Sequence, residues 1–225
     1  MKTIKICLLT IGQSPRRDIV PEMKSIFLPE VEIMEKGLLD DLSEEEIKRF
    51  RPQKDEDSLI SILRNGKTAQ LSVRKIESLL TEYISKIAKE DIKGVGILCT
   101  HDFMEKKYPV PVIFPSKFIK FLIEQVYKMD RIGIVIPLEN QIKMVKSKFR
   151  CKKAIIQVKS PYMRDIYWEE IACVFRKERV EGIVLDCVGY SIKDREEIEK
   201  YVRVPVFLPR LLLAHLINLI FHDFT

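Results

Sequence analysis

The sequence predicts an α/β protein of two similar lobes, each a parallel sheet flanked by helices, with a β-hairpin inserted in the first lobe. Three observations carry that expectation. Short β-branched apolar runs alternate with helix-compatible stretches along the whole chain, the pattern of parallel strands covered on both faces. Three strand-like segments recur in the same order in the two halves. One Asn-Gly turn between two strand-like runs has no counterpart in the second half.

Taken in order, Ile4 to Leu9 is strand-length and runs into Thr10-Ile11-Gly12-Gln13-Ser14-Pro15, a turn, then a helix-compatible stretch from Arg16. Its partner begins at Ile132, where Ile132 to Ile136 leads into Pro137-Leu138-Glu139-Asn140-Gln141 and a basic amphipathic stretch to Phe149; aligning the run starts sets Ile4 against Ile132. Ser43-Glu44-Glu45-Glu46 fits a capping box opening a short helix. Ser58 to Leu71 holds two strand-like runs joined by Asn65-Gly66, which predicts a type I′ hairpin within an insertion over roughly 36–75. Ile92 to Thr100 matches Val180 to Val188, each ending in a cysteine, and Pro109 to Pro115 matches Arg203 to Pro209, each followed by an apolar helix. The lobes are expected at 1–125 and 126–225, with the last helix, Leu211 to Phe221, crossing back to cover the first.

With 225 residues the chain is long enough to bury about 70% of its unfolded surface. Composition, 46% hydrophobic and 32% charged, excludes collagenous, low-complexity and largely disordered classes. The net charge of +6 suits anionic partners, but the densest basic run, Lys143 to Lys153, has one aromatic residue and no nucleic-acid motif, so it reads as a solvated helix face. No apolar run reaches the roughly 20 residues of a membrane span, and no signal-peptide cleavage pattern follows the first strand. A cytoplasmic protein with no membrane or nucleic-acid partner is expected, and a homodimer is compatible with the sequence. The five cysteines, Cys7, Cys99, Cys151, Cys173 and Cys187, show no CxxC or Cys/His spacing for a metal and read as free thiols.

In open parallel sheets ligands bind beyond the carboxyl ends of the strands. Those ends supply Gly12, Gln13, Ser14 and Arg16; Cys99, Thr100 and His101; Ser160 and Tyr162; and Cys187, Gly189 and Tyr190. Cys7 lies inside a strand and Cys173 on the apolar face of Glu169 to Phe175, so both read as packing, and Cys151 as surface. Cys99 and Cys187 stand apart because they occupy matching strand ends beside turns rich in N–H and hydroxyl groups. Two related thiols suit one chemistry: a thiolate removes a proton from one face of a carbon acid while a thiol delivers one to the other, with helix N-termini stabilising the thiolate and N–H donors the substrate carboxylate. No cofactor or metal is needed. Gly12 to Arg16 lacks the Lys-Ser/Thr of a phosphate loop, and Gly94-Val95-Gly96 fails the dinucleotide pattern. Arg16 is a candidate fork for a carboxylate, His101 a candidate proton-transfer aid, and His215 and His222 read as structural.

TIGQSPRRDIVPE (Thr10–Glu22), GLLDDLSEEEI (Gly37–Ile47), ILCTHDF (Ile97–Phe103), VIPLENQ (Val135–Gln141), KSPY (Lys159–Tyr162), VLDCVGYSIKDR (Val184–Arg195) and PVFLPRLLLAHL (Pro205–Leu216) together resemble the AroM protein family along nearly the whole chain. In its two-cysteine layout that family is similar to the aspartate/glutamate racemase superfamily, which includes hydantoin racemase, maleate isomerase and arylmalonate decarboxylase. The resemblance implies a cofactor-independent racemase or isomerase acting on a small carboxylate, with Cys99 and Cys187 as the acid/base pair and Thr100 helping to hold the carboxylate. Thr100 follows Cys99 directly, where the racemases usually carry an intervening Asn, and Val188-Gly189-Tyr190 stands where they often have a small residue and His. The competing readings are a non-catalytic small-molecule-binding or regulatory protein associated with aromatic amino-acid metabolism, and a hydrolase using one thiol with His101 as base.

Overall fold

Two four-stranded parallel sheets form the framework of the computed structural model, which describes residues 3–104, 106–163 and 166–222. In the first half the elements are β1 (Ile4–Thr10), α1 (Val20–Lys24), β2 (Val31–Gly37), α2 (Glu44–Lys48), β3 (Ser58–Ile62), β4 (Thr68–Ser72), α3 (Val73–Ile87), β5 (Gly94–Leu98), β6 (Val112–Ile113) and α4 (Pro115–Phe121), the last continued by a π-helical turn, Leu122–Val126. In the second half they are β7 (Arg131–Ile136), a 3-10 turn (Glu139–Gln141), α5 (Ile142–Lys148), β8 (Lys153–Val158), α6 (Trp168–Lys177), β9 (Gly182–Leu185), α7 (Ile192–Glu199), β10 (Val206–Phe207) and α8 (Pro209–Phe221). Among the described residues, no helix is long and apolar enough to cross a membrane.

The first sheet has the order β2-β1-β5-β6 and the second β8-β7-β9-β10. The internal repeat is therefore written in the hydrogen-bond register. Gly96 pairs with Ile113 as Val184 pairs with Phe207, so the Cys99/Cys187 and Pro111/Pro205 equivalences hold residue for residue. The first match needs correction. Ile6 pairs with Gly94 as Ile132 pairs with Gly182, which makes Ile6, not Ile4, the counterpart of Ile132. A slip of two residues keeps every side chain on its face of the sheet, so a β-branched run alone does not reveal it.

The insertion is the antiparallel pair β3–β4, a separate two-stranded sheet. Its turn is not type I′. The Gly66 N–H donates to the Leu63 carbonyl and the Leu63 N–H to the Lys67 carbonyl, and Gly66 has positive φ while Asn65 does not. That is a type I turn followed by a glycine bulge, the other common solution for a short hairpin. Just ahead of it, Ser43 and Glu46 form the expected capping box on α2. α3 is capped by Ser72 and buries Ile76, Leu80, Ile84 and Ile87, a stripe at helical spacing.

The chain divides into two compact units. One comprises Met1–Pro115 with Arg210–Thr225, the other Ser116–Pro209. α8 thus belongs with the first sheet, and α4 with the second. Within the first unit α8 lies so close to β5 that a Cβ on Gly94 would overlap the Phe221 ring, and only glycine fits there. Asn218 accepts from the Leu28 N–H (3.2 Å) and donates to the Ile26 carbonyl (2.8 Å), and the Arg210 guanidinium, fully buried, reaches Glu22 (2.6 Å) and the Asp18 carbonyl (3.1 Å). His222 meets Glu30 at 2.7 Å, while His215 is exposed. In the second unit α6 buries Trp168, Ile171, Ala172 and Phe175, and the Phe175 ring packs on Gly133 of β7. Cys173 falls beside that stripe, half-buried, not on it as the sequence suggested.

Candidate active site at the strand ends

Each unit presents one buried cysteine at the carboxyl end of a central strand. Cys99 follows β5 and Cys187 follows β9, each 7% exposed. Both sulfurs are met in the same way. The His101 N–H points at Cys99 Sγ (3.5 Å) and the Gly189 N–H at Cys187 Sγ (3.4 Å), in each case the amide two residues on. A backbone donor aimed at sulfur favours the thiolate over the thiol. The helix-dipole argument holds less evenly. After Cys187 the chain enters α7 through the capping box of Ser191 and Asp194, but the described residues of 99–111 form no helix. At Cys99 the His101 amide in the turn is a donor.

In the second unit the strand-end residues converge. β7 pairs with both β8 and β9, so the ends at Val158 and Leu185 flank Ile136. Pro161 and Tyr162 then pack against the turn after Cys187: a Cβ on Gly189 would sit 2.8 Å from Pro161 Cγ and 2.8 Å from the Tyr162 hydroxyl. Tyr162 N–H donates to Ser160 Oγ at 3.3 Å. Ser160, Tyr162, Cys187 and Gly189 therefore form one neighbourhood. Tyr190 lies beneath it, fully buried, with its ring edge-on to Trp168 and its hydroxyl donating to the Lys159 carbonyl. Burial, then the nearby Cys187 and Asp186, push its hydroxyl well above the usual tyrosine range, so it stays protonated and acts as a strut.

In the first unit, Thr10 pairs with Leu98, which sets the Gly12 to Arg16 loop beside Cys99 and Thr100. That loop is tightly held, and its Ser14–Pro15 bond is cis. Asp40 accepts from the Ser14 N–H (2.6 Å), the Ser14 hydroxyl (2.6 Å), the Gly37 N–H (2.7 Å) and Arg64 Nη2 (3.1 Å). Gln13 donates to the Leu39 carbonyl (3.1 Å) and accepts from the Arg64 N–H (3.0 Å). The Arg16 fork closes on Asp18 (2.9 and 2.7 Å), and its third nitrogen donates to Thr10 Oγ1 (2.9 Å) and Ser61 Oγ (3.3 Å). Burial alone would raise the Asp18 carboxyl, but the Arg16 hydrogen bonds and charge outweigh it and hold the group below its ordinary range. A ligand carboxylate at Arg16 has to compete with Asp18. Thr100 is buried, and His101 turns its ring to Glu77 (Nε2 to Oε1, 3.4 Å) and edge-on to Phe103.

Of the other thiols, Cys7 is pushed up to about 12 by burial, and burial also raises Cys151, so the basic loop around Cys151 does not activate it.

A family model described as AroM protein matches residues 6–221. The chain belongs to the AroM protein family. A comparison with curated proteins returns no match. Among solved structures, this AroM-family chain is similar in fold to the maleate isomerase Iso from Pseudomonas putida S16 (TM-score 0.62, 12% identity, covering 97% of this chain and 93% of that one). It is also similar to the allantoin racemase from Klebsiella pneumoniae (TM-score 0.59, 13% identity, 97% and 87% covered). A third is the glutamate racemase from Francisella tularensis subsp. tularensis SCHU S4, in complex with D-glutamate (TM-score 0.58, 14% identity, 98% and 81% covered). The two-lobed α/β fold of the AroM-family chain is that of racemase-like proteins.

Two features of this AroM-family site escape a reading of sequence. One is the bracing of the first loop by Asp40 after β2 and by Ser61 and Arg64 from the hairpin, which depends on contacts far apart in the chain. The other is a buried ion pair at 2.6 Å between Lys148 and Asp186, with side chains only 4% and 3% exposed. The sequence carried a signal for it. An acid ending a wholly apolar strand requires a partner, and Lys148 stands three residues after buried Val145, on the inner face of a helix whose basic residues read as solvated.

Proposed function

We propose that this protein is a cofactor-independent racemase or isomerase acting on a small carboxylate, with Cys99 and Cys187 as its two proton-transfer groups. The observation that carries the reading is the matched placement of the two thiols: equivalent strand ends, equal burial, and an amide two residues on aimed at each sulfur. In the forward step one thiolate takes the proton from the substrate carbon, breaking C–H and forming S–H. The other thiol then gives its proton to the opposite face, so no electron leaves the system and no oxidant is needed. The intermediate carbanion is stabilised as its carboxylate takes up charge, which N–H donors and the Thr100 hydroxyl meet. Gly12 to Arg16 and Thr100 in the first unit, and Ser160 to Tyr162 in the second, are the substrate contacts this reading assigns. The fold shared with an isomerase and two racemases supports the class of reaction.

The test is solvent-deuterium incorporation at carbon, followed by NMR for a panel of small carboxylic acids. Wild type should exchange at least one of them. Cys99→Ser and Cys187→Ser should each lower turnover by about 10²–10⁴-fold, the usual worth of a general acid or base, while ligand binding survives. If both variants keep full turnover of that substrate, the paired-thiol mechanism is wrong. Binding without exchange in wild type marks a ligand-binding protein instead.

A further inference from the structure

The two thiols are matched in backbone and differ in the residue that precedes each. Asp186 immediately precedes Cys187 and is buried with Lys148 Nζ at 2.6 Å from Oδ1. The equivalent position before Cys99 is Leu98, apolar and buried. A buried ion pair is a costly way to fill space, and apolar side chains of similar volume are often as stable or more so. Its place at the end of the cysteine strand points to a use.

We propose that the Lys148–Asp186 pair sets the ionisation of Cys187, with Lys148 offsetting the negative charge that Asp186 carries one residue ahead of the cysteine. The proposal rests on the paired-thiol reading for its catalytic meaning. Two proton-transfer groups of one mechanism have to stand in opposite protonation states at the start of each turnover, one thiolate and one thiol. Identical surroundings would leave that choice to chance, and a buried ion pair next to Cys187, where Cys99 follows Leu98, biases it. Within this unit, Lys148 at the end of α5 pairs with Asp186 at the strand end, Tyr162 on the loop after β8 packs on the Gly189 turn, and Tyr190 in that turn stands near the charges of Cys187, Asp186 and Asp194. Tyr190 keeps its proton, and Lys148 is the positive partner of Asp186.

The experiment reads the thiol directly. The pH dependence of iodoacetamide alkylation is followed for the Cys187 peptide by mass spectrometry in the full-length protein, with Cys173 as the control thiol. Lys148→Met leaves the Asp186 charge uncompensated and should raise the Cys187 midpoint by about one pH unit; Asp186→Asn leaves the lysine charge and should lower it by a similar amount. The double variant, which removes both charges and avoids a lone buried ion, should return towards wild type, and it keeps the test sound if a single variant folds poorly. Opposite shifts in the singles, or a double variant near wild type beside one shifted single, support the assignment. Shifts of the same sign, or none, overturn it. Deuterium exchange measured alongside separates the two ideas, because the alkylation shifts are expected even in a protein that turns nothing over.

Discussion

Replacing Asp40 with alanine removes the acceptor on which four donors converge, and the cost follows from their geometry. Ser14 N–H, Ser14 hydroxyl and Gly37 N–H lie at 2.6–2.7 Å from the carboxylate, which is 15% exposed. Hydrogen bonds to a charged acceptor contribute about 1.5–3 kcal/mol each, and water recovers part of that at a partly exposed site, so Asp40→Ala should cost about 3–5 kcal/mol. The fourth bond, from half-exposed Arg64, adds under about 1 kcal/mol. For a chain of this length the loss corresponds to a fall in Tm on the order of 10 °C. Urea unfolding followed by far-UV circular dichroism measures it, with a lower midpoint at unchanged slope. Arg64→Ala is the companion variant. It should leave stability nearly untouched but loosen the Gly12 to Arg16 loop, raising KM for the carboxylate more than it lowers kcat. An Asp40→Ala protein within about 1 kcal/mol of wild type would refute the idea that this carboxylate holds the loop.

Two further outcomes test the first unit. Gly94→Ala drives a Cβ into the Phe221 ring and should destabilise by about 1–3 kcal/mol, with Phe221→Leu restoring much of it; a neutral Gly94→Ala would mean that α8 does not seat on β5. Asp18 titrates below its ordinary value of 3.8 in the folded protein, so its stabilising contribution is complete above that value and is lost as pH falls through the depressed one. Asp18→Asn should therefore be less stable at neutral pH, and the difference from wild type should close under acid; equal stability at pH 7 would remove Arg16–Asp18 from the forces holding the loop.

Much of the framework was legible because it is written in local chemistry. Strand-length apolar runs, the Ser43 and Ser72 caps and the prolines that open α4 and α8 each act over a few residues, and a duplicated order of such signals predicts a duplicated topology. The β-hairpin insertion was visible for the same reason. Its turn type was not, because Asn-Gly is compatible with two turns and the strand pairing decides between them. The Ile4–Ile132 alignment failed on a similar ambiguity, since pleated strands look alike after a shift of two.

What the sequence by itself determined is the repeated α/β architecture and the two cysteines at equivalent strand ends, because periodicity and position in a repeat survive without knowledge of neighbours. Only the tertiary structure decided what surrounds those thiols. Arg16, Gln13 and Ser14 read as ligand-binding groups on an open loop, yet Asp18, Asp40, Leu39 and Arg64 already hold them. Lys148 read as one lysine among many on a solvated face, yet it is buried against Asp186, 38 residues away in the chain. The physical reason is common to both cases. A buried polar or charged side chain is stable only with a partner, and the partner is chosen by the fold from anywhere along the chain.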